Sequence, residues 1–144
     1  MPQKVLNDIF GYEKFRRGQI EVIEALLDNV HTLAVMPTGS GKSICFQIPA
    51  LLKGGLTIVV SPLVALMEDQ VCSLKLIGVH AETINSSRER KENITSWNRV
   101  LNVLAIFFMS GPPPPMLSAR LLPFPGLANR FLSPIFSFFV SSCQ

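Results

Sequence analysis

The chain has 144 residues and a formal net charge of +3, so it is long enough for one modest domain, and its charge alone does not indicate a nucleic-acid partner. Its cysteines, Cys45, Cys72 and Cys143, match no zinc-site spacing and are odd in number, which excludes a fully paired disulfide framework and favours a reducing compartment. The first residues contain no apolar stretch of the kind that forms a signal peptide.

Apolar periodicity over residues 1–98 predicts helices that alternate with short strands. Helices are expected at 5–10, 19–27, 43–52, 62–78 and 87–97, and strands at 33–36, 57–60 and 79–84. Gly11 is expected to end the first helix, and Ser61 to cap the fourth, with Pro62 at its first position. Such an alternation is typical of an α/β fold with a parallel sheet.

Composition changes abruptly near Asn98. All 10 acidic residues precede residue 93, whereas seven of the 11 prolines and seven of the 10 phenylalanines follow Trp97. We therefore expect two unlike pieces, a domain over 1–98 and an irregular, unrelated tail over 99–144 that does not pack on it. The apolar run at 105–109 is too short to span a bilayer, and four prolines follow at 112–115. A membrane-associating tail is the less favoured interpretation.

The segment before the third predicted helix has the composition of a phosphate-binding loop, with the residues Thr38, Gly39, Ser40, Gly41, Lys42 and Ser43. Glycines let the chain wrap tightly, and a helix start points backbone N–H groups at a polyphosphate. Lys42 would reach the β- and γ-phosphates, and the Ser43 hydroxyl would ligate Mg²⁺. Met36 stands where the full motif has its first glycine, and a chance Gly/Ser turn is the alternative interpretation.

Three segments resemble RecQ-type DNA helicases of superfamily two. Residues 10–19 read Phe-Gly-Tyr-Glu-Lys-Phe-Arg-Arg-Gly-Gln and are similar to the adenine-reading segment; residues 36–43 are similar to the Walker A loop, and 61–71 to motif Ia. The resemblance implies an incomplete RecA-like P-loop domain, ATP and Mg²⁺ as ligands, and single-stranded or forked DNA as the partner of a 3′-to-5′ helicase. It also implies an intracellular protein, nuclear in a eukaryote and in the cytoplasm or nucleoid of a bacterium.

The same resemblance assigns site residues. Gln19 would hydrogen-bond the adenine edge, while Tyr12 and Arg16 would sandwich the ring by stacking and cation–π contact. Arg17 stands where the family usually has proline. The residues that would contact DNA are Ser61, Pro62, Leu63, Asp69, Gln70, Asn85 and Ser86, although a plain capped helix is an alternative for the first of these.

Hydrolysis of ATP also needs an acidic anchor for Mg²⁺, a residue that orients water and an arginine finger. The family takes that anchor from an Asp-Glu-x-His motif, and no Asp or Glu follows Glu92 here. We therefore expect a truncated helicase core that binds ATP weakly and neither hydrolyses it nor unwinds DNA. A regulatory module that competes with a full-length helicase, and a small P-loop kinase or GTPase, are the alternatives.

The incomplete sheet has a further consequence for the predicted strands. Open apolar edges at 33–36 and 57–60 favour non-specific self-association, because an unpaired edge is a template for another chain. No membrane span is expected.

Overall fold

The computed structural model describes residues 1–61, 63–100 and 105–109. Over these residues the chain forms helices α1 Pro2–Asp8, α2 Gln19–Leu27, α3 Lys42–Lys53, α4 Val64–Leu76 and α5 Arg90–Val100, and strands β1 Leu56–Val60, β2 Ala81–Ile84 and β3 Ala105–Met109. The chain divides into two compact units, of which the first contains Met1–Gly54 and the second begins at Gly55. The α/β class predicted from the sequence is confirmed.

The first unit is a group of three helices around a small apolar core. Leu6 of α1, Ile23 of α2, and Ile44 and Ile48 of α3 form its centre, and none is more than 7% exposed. Full burial of such a side chain contributes roughly 1.5–3 kcal/mol. The core therefore fixes the start of α3 against α1 and α2. It also fixes the position of the residues that directly precede α2 and α3 in the chain.

The strand predicted at 33–36 is absent from the structure, so that prediction is wrong. Residues 31–37 have no regular secondary structure, and the side chains of Leu33 and Val35 are 89% and 90% exposed. Exposure alternates along this segment, as it does in an extended chain. An apolar run of four residues predicts an extended conformation, but a strand also needs a ladder partner, which periodicity does not identify.

The second unit is built on a parallel sheet of three strands in the order β1-β3-β2. Thr57 of β1 lies opposite Ile106 of β3, and Thr83 of β2 lies opposite Phe108. Helix α4 connects β1 to β2, and α5 lies between β2 and β3 in the chain. The predicted parallel sheet is present, and the predicted third strand at 79–84 is β2.

Strand β3 corrects the predicted boundary at residue 98. It falls within the segment that we expected to be unrelated to the domain, yet it pairs with both other strands and Ile106 is only 2% exposed. Helix α5 also runs past the boundary to Val100, and Arg99 lies 3.5 Å from the carboxylate of Glu82 in β2. The apolar run at 105–109 has the length of an ordinary strand. The remainder of the predicted tail lies outside the described residues.

The start of α4 also differs from the prediction. Ser61 does not cap this helix: its N-cap is Leu63, and the helix begins at Val64. The Ser61 hydroxyl instead accepts the Leu63 backbone N–H at 3.3 Å, which forms a local turn ahead of the helix. Pro62, predicted at the first helical position, lies outside the described residues.

Candidate functional site

The predicted phosphate loop is a tight turn that leads directly into α3. Gly39 and Gly41 both have a φ of +76°, a left-handed conformation that residues with a Cβ rarely adopt. The Ser40 N–H donates to the Pro37 carbonyl at 3.3 Å, and the helix begins at Lys42 with no side chain capping it. The loop thus leads directly into the uncapped first turn of α3. Free backbone N–H groups at such a helix start are suited to binding an anion.

Two side chains at the start of α2 bind this loop, one just ahead of the helix and one at its first residue. The Arg16 guanidinium donates to the Gly39 carbonyl, and the Gln19 amide nitrogen donates to the carbonyls of Ser40 and Gly41, both at 3.0 Å. The two segments are separated by more than 20 residues in the chain. The structure therefore brings two of the three residues that the sequence assigned to adenine, Arg16 and Gln19, into contact with the predicted phosphate loop.

Gly41 is constrained by contact as well as by conformation. A Cβ at this position would lie 2.7 Å from the Gln19 amide nitrogen, whereas a Cβ at Gly39 would meet nothing within 4 Å. Only a residue without a side chain lets the Gln19 amide approach the loop backbone so closely. The sequence motif alone does not predict this close approach, because it depends on how the first unit folds.

The Gln19 side chain is already engaged by the protein. Its amide nitrogen donates twice to the loop, its oxygen accepts the Arg16 backbone N–H at 2.8 Å, and the residue is 3% exposed. An amide has two donors and one acceptor oxygen, so these bonds use both donors. Its contact with adenine stays a prediction, and donation from its amide nitrogen to the base would have to replace one of the bonds to the loop.

The remaining predicted loop residues fit a magnesium-bound polyphosphate. Lys42 and Ser43 occupy the first turn of α3 and are half-buried, and Thr38 is exposed just ahead of the turn. The Ser40 hydroxyl oxygen is buried and has no hydrogen-bond partner among the described residues. A buried hydroxyl of this kind is what a phosphate oxygen would satisfy. Within the described part of the chain, no three His, Cys, Asp or Glu side chains cluster as metal ligands.

Met36, which replaces the first glycine of the full motif, packs inside the first unit. Its terminal methyl group lies 3.8 Å from the position of a Cβ on Gly18, and its sulfur lies 4.0 Å from the Cys45 sulfur. Burial raises the pKa of the Cys45 thiol to about 11. The thiol therefore stays protonated at neutral pH, and Cys45 serves as a core residue and not as a nucleophile.

The candidate DNA residues all belong to the second unit, and they differ in accessibility. Asp69 and Ser86 are exposed, Leu63 is 44% exposed, and Gln70 is half-buried. Asn85 is only 1% exposed, and its amide oxygen accepts the Ser87 N–H at 3.0 Å. Contact of these residues with DNA stays a prediction, and the Asn85 side chain is occupied inside the protein.

Several polar side chains that no sequence pattern indicated hold these segments in place. Glu68 of α4 accepts the Asn85 amide at 3.5 Å. Glu82 of β2 lies 3.3 Å from Lys75 and accepts the Ser96 hydroxyl at 3.1 Å. These partners are 7 to 17 residues apart, so no local spacing signals them.

Gln3 and Asn7 of α1 were missed as well. They bind the backbone of the loop that carries Tyr12. Their signal was present in the sequence, because two amides four residues apart share one face of a helix.

A glycine turn of this form, at the start of a helix and held by Arg16 and Gln19, is typical of nucleotide-binding P-loop proteins. Residues 16–110 match the DEAD/DEAH box helicase family, which is more than half of the 144 residues. The chain belongs to this family, whose ATP-binding domain has a RecA-like α/β fold.

Within that family the chain is similar to RecQ proteins. The ATP-dependent DNA helicase RecQ of Haemophilus influenzae is 48% identical over 98 residues, which cover 68% of this chain and 16% of that protein. RecQ of Synechocystis is 56% identical over 90 residues (62% and 19%), and ATP-dependent DNA helicase Q1 of Rattus norvegicus is 45% identical over 87 residues (60% and 14%). The predicted RecQ resemblance is confirmed.

The chain spans less than a fifth of the length of these relatives. Among the helices of the described residues, none has the length and apolar character needed to cross a bilayer.

Proposed function

We propose that this chain binds an adenine nucleotide, with the polyphosphate on the 38–43 loop and the base beside the 10–19 segment. The observation that carries the proposal is the contact of Arg16 and Gln19 with three successive loop carbonyls, at Gly39, Ser40 and Gly41. Because the proposed base-reading segment is hydrogen-bonded to the proposed phosphate loop, the two ends of one nucleotide could be bound at a single site.

Each loop residue has a distinct role in this proposal. Lys42 supplies a positive charge to the β- and γ-phosphates, and the Ser43 hydroxyl is a ligand for Mg²⁺. The Ser40 hydroxyl, buried without a partner among the described residues, donates to a phosphate oxygen. Magnesium neutralises phosphate charge when it is bound, and the chain supplies the backbone cradle around it.

Base recognition falls to three residues of the 10–19 segment. Tyr12 is 55% exposed, so its ring is open to stacking, and Arg16 is exposed in the same loop. Gln19 reads the adenine edge by giving up one of its bonds to the loop. This exchange links base recognition to the conformation of the phosphate loop.

For the whole protein we propose ATP-dependent 3′-to-5′ DNA unwinding, and the similarity to ATP-dependent DNA helicases supports the ATP-dependent unwinding in this proposal. Single-stranded or forked DNA would contact the second unit at the start of α4 and after β2, through Ser61, Pro62, Leu63, Asp69, Gln70, Asn85 and Ser86. The exposed members of this set are Leu63, Asp69 and Ser86, and these are the best placed to do so. An intracellular location accompanies this activity, nuclear in a eukaryote and cytoplasmic or nucleoid in a bacterium.

Titration of the 144-residue chain with ATP tests the nucleotide site. Replacement of Lys42 by alanine removes a charge-assisted hydrogen bond and is expected to weaken ATP and ADP binding by about 1.5–3 kcal/mol, roughly 10- to 150-fold in Kd. Lys91→Ala, which removes an exposed lysine of α5, is the matched control and should bind as the wild type does.

Two outcomes would contradict the proposal. Superimposable titrations of the wild type and Lys42→Ala would contradict the assignment of the 38–43 loop as a phosphate site. GTP binding as tight as ATP binding would remove the adenine role of Gln19, since guanine presents a different edge.

A further inference from the structure

Helix α1 carries two amide side chains that hold the loop after it. Asn7 donates its amide to the Tyr12 carbonyl at 2.8 Å and approaches the Glu13 carbonyl at 3.5 Å. Gln3, one turn earlier, donates to the Glu13 carbonyl at 2.8 Å and to the Asn7 side-chain oxygen at 2.9 Å. Two consecutive loop carbonyls are therefore bound by two side chains that also bind each other.

The backbone of the same loop is fixed from its other side. The Gly11 N–H donates to the Asn7 carbonyl at 3.1 Å, and the Tyr12 N–H donates to the Leu6 carbonyl at 3.2 Å. Leu6 is 1% exposed and belongs to the core that also contains Ile44 of α3. The Tyr12 backbone is thus held at both its N–H and its C=O, and it is tied to the helix that follows the phosphate loop.

The ring of Tyr12 contrasts with its backbone, because it is 55% exposed. Stability alone does not explain such a fixed backbone. Gln3, Asn7 and Glu13 are exposed, where water would satisfy the same carbonyls at little cost. What the network does achieve is a defined position for an aromatic ring that faces solvent, and a ring fixed in advance binds a flat ligand with less loss of conformational entropy.

We infer that Gln3 and Asn7 are positioning residues for the nucleotide base, which act by presenting the Tyr12 ring to it. This inference rests on the proposed function, since it assigns the base to Tyr12. It predicts that the two amides affect recognition of the base and leave recognition of the phosphates unchanged.

The experiment compares ATP with inorganic tripolyphosphate as ligands of the full 144-residue chain. Asn7→Asp keeps the size of the side chain and the acceptor for Gln3 but cannot donate to the Tyr12 carbonyl. We expect ATP affinity to fall roughly 3- to 10-fold, the range for one lost hydrogen bond, with tripolyphosphate affinity unchanged. Gln3→Ala should give a loss in the same direction, and Asn98→Ala, which removes an exposed amide of α5, should change neither affinity.

A double-mutant cycle separates positioning from a general effect on the fold. In a Tyr12→Ala background the Asn7→Asp change should no longer affect ATP affinity, because the ring it positions is absent. An undiminished effect in that background, equal losses for ATP and tripolyphosphate, or wild-type ATP affinity in Asn7→Asp would each overturn the inference. Those results differ from failure of the nucleotide site itself, in which the wild type and Lys42→Ala would bind ATP equally.

Discussion

At the scale of single residues, the two loop glycines have the same backbone conformation and different surroundings. Both have a φ of +76°, but only Gly41 faces another group, the Gln19 amide, across a distance too short for a Cβ. Replacement of each glycine by alanine therefore separates the cost of a left-handed conformation from the cost of displacing Gln19. The pair is a matched comparison within one loop.

Gly39→Ala should destabilise the chain by about 1–2 kcal/mol, the cost of a left-handed alanine. Gly41→Ala should cost a further 1–3 kcal/mol or so, because the Gln19 amide must move and lose its two bonds to the loop. Chemical denaturation followed by circular dichroism would measure both changes.

A third variant checks the assigned cause. In a Gln19→Ala background, where no amide opposes the new Cβ, the two glycine substitutions should cost the same amount. A difference that persists in this background would show that another contact constrains Gly41.

At the scale of secondary structure, the apolar runs at 33–36 and 105–109 exchange the places that the sequence predicted for them. The first run was expected in the sheet and forms no strand, with Leu33 and Val35 exposed, and the second was expected outside the domain and forms the central strand. Both runs are short and apolar, so composition does not distinguish them. The difference lies in which of them finds a parallel partner on both sides.

Truncation of one side chain in each run tests this exchange. Ile106→Ala should destabilise the second unit by about 2–4 kcal/mol through lost burial and the cavity it leaves. Leu33→Ala should change stability by less than about 0.5 kcal/mol, because its side chain is 89% exposed. Fluorescence of Trp97, which is buried in α5 and is the only tryptophan, reports unfolding of the second unit, and circular dichroism reports the whole chain.

The opposite pattern would contradict the strand assignment. If Leu33→Ala lowered the free energy of unfolding by several kcal/mol and Ile106→Ala left it unchanged, the data would indicate that 33–36 is a buried strand and that β3 is not part of the sheet.

At the scale of the whole molecule, the proposed nucleotide site joins two segments of the chain, and the acidic residues all lie before residue 93. The phosphate loop and the base-reading segment are in contact, but no Asp or Glu follows Glu92 in the sequence. Phosphoryl transfer to water needs a second magnesium anchor and an arginine from another element. Binding and turnover should therefore be separable in this chain.

We expect the 144-residue chain by itself to release no phosphate from ATP above the level of the Lys42→Ala variant, with or without single-stranded DNA. A phosphate-release assay on the purified chain measures this, and strand separation on a forked duplex should likewise be absent. DNA-stimulated phosphate release that disappears in Lys42→Ala would show that the residues present suffice for catalysis.

The outer sides of β1 and β2 are also relevant at this scale. Each of these strands pairs with β3 on one side, and neither has a second partner among the described residues. Self-association through open edges, expected from the sequence at 33–36 and 57–60, stays a prediction, and of these two runs only 57–60 lies in a strand of the described residues.

The sequence by itself determined the features that depend on local chemistry. The presence of the helices follows from apolar spacing, although α1 begins at Pro2 instead of residue 5 and α5 at Arg90 instead of residue 87. The phosphate-loop prediction follows from the glycines, and the RecQ resemblance follows from three ordered segments. Periodicity and turn residues act over a few positions, and these are the distances over which a sequence can be interpreted directly. The prediction of α2 at 19–27 agrees with the structure at both ends.

The tertiary structure decided what depends on partners distant in the chain. It placed the Gln19 amide on the phosphate loop, and the run at 105–109 between two strands that precede it by 21 residues or more. Hydrogen bonds and strand ladders form between surfaces that only folding brings together. Their partners carry no mark in the local sequence, and for that reason the sequence alone missed them.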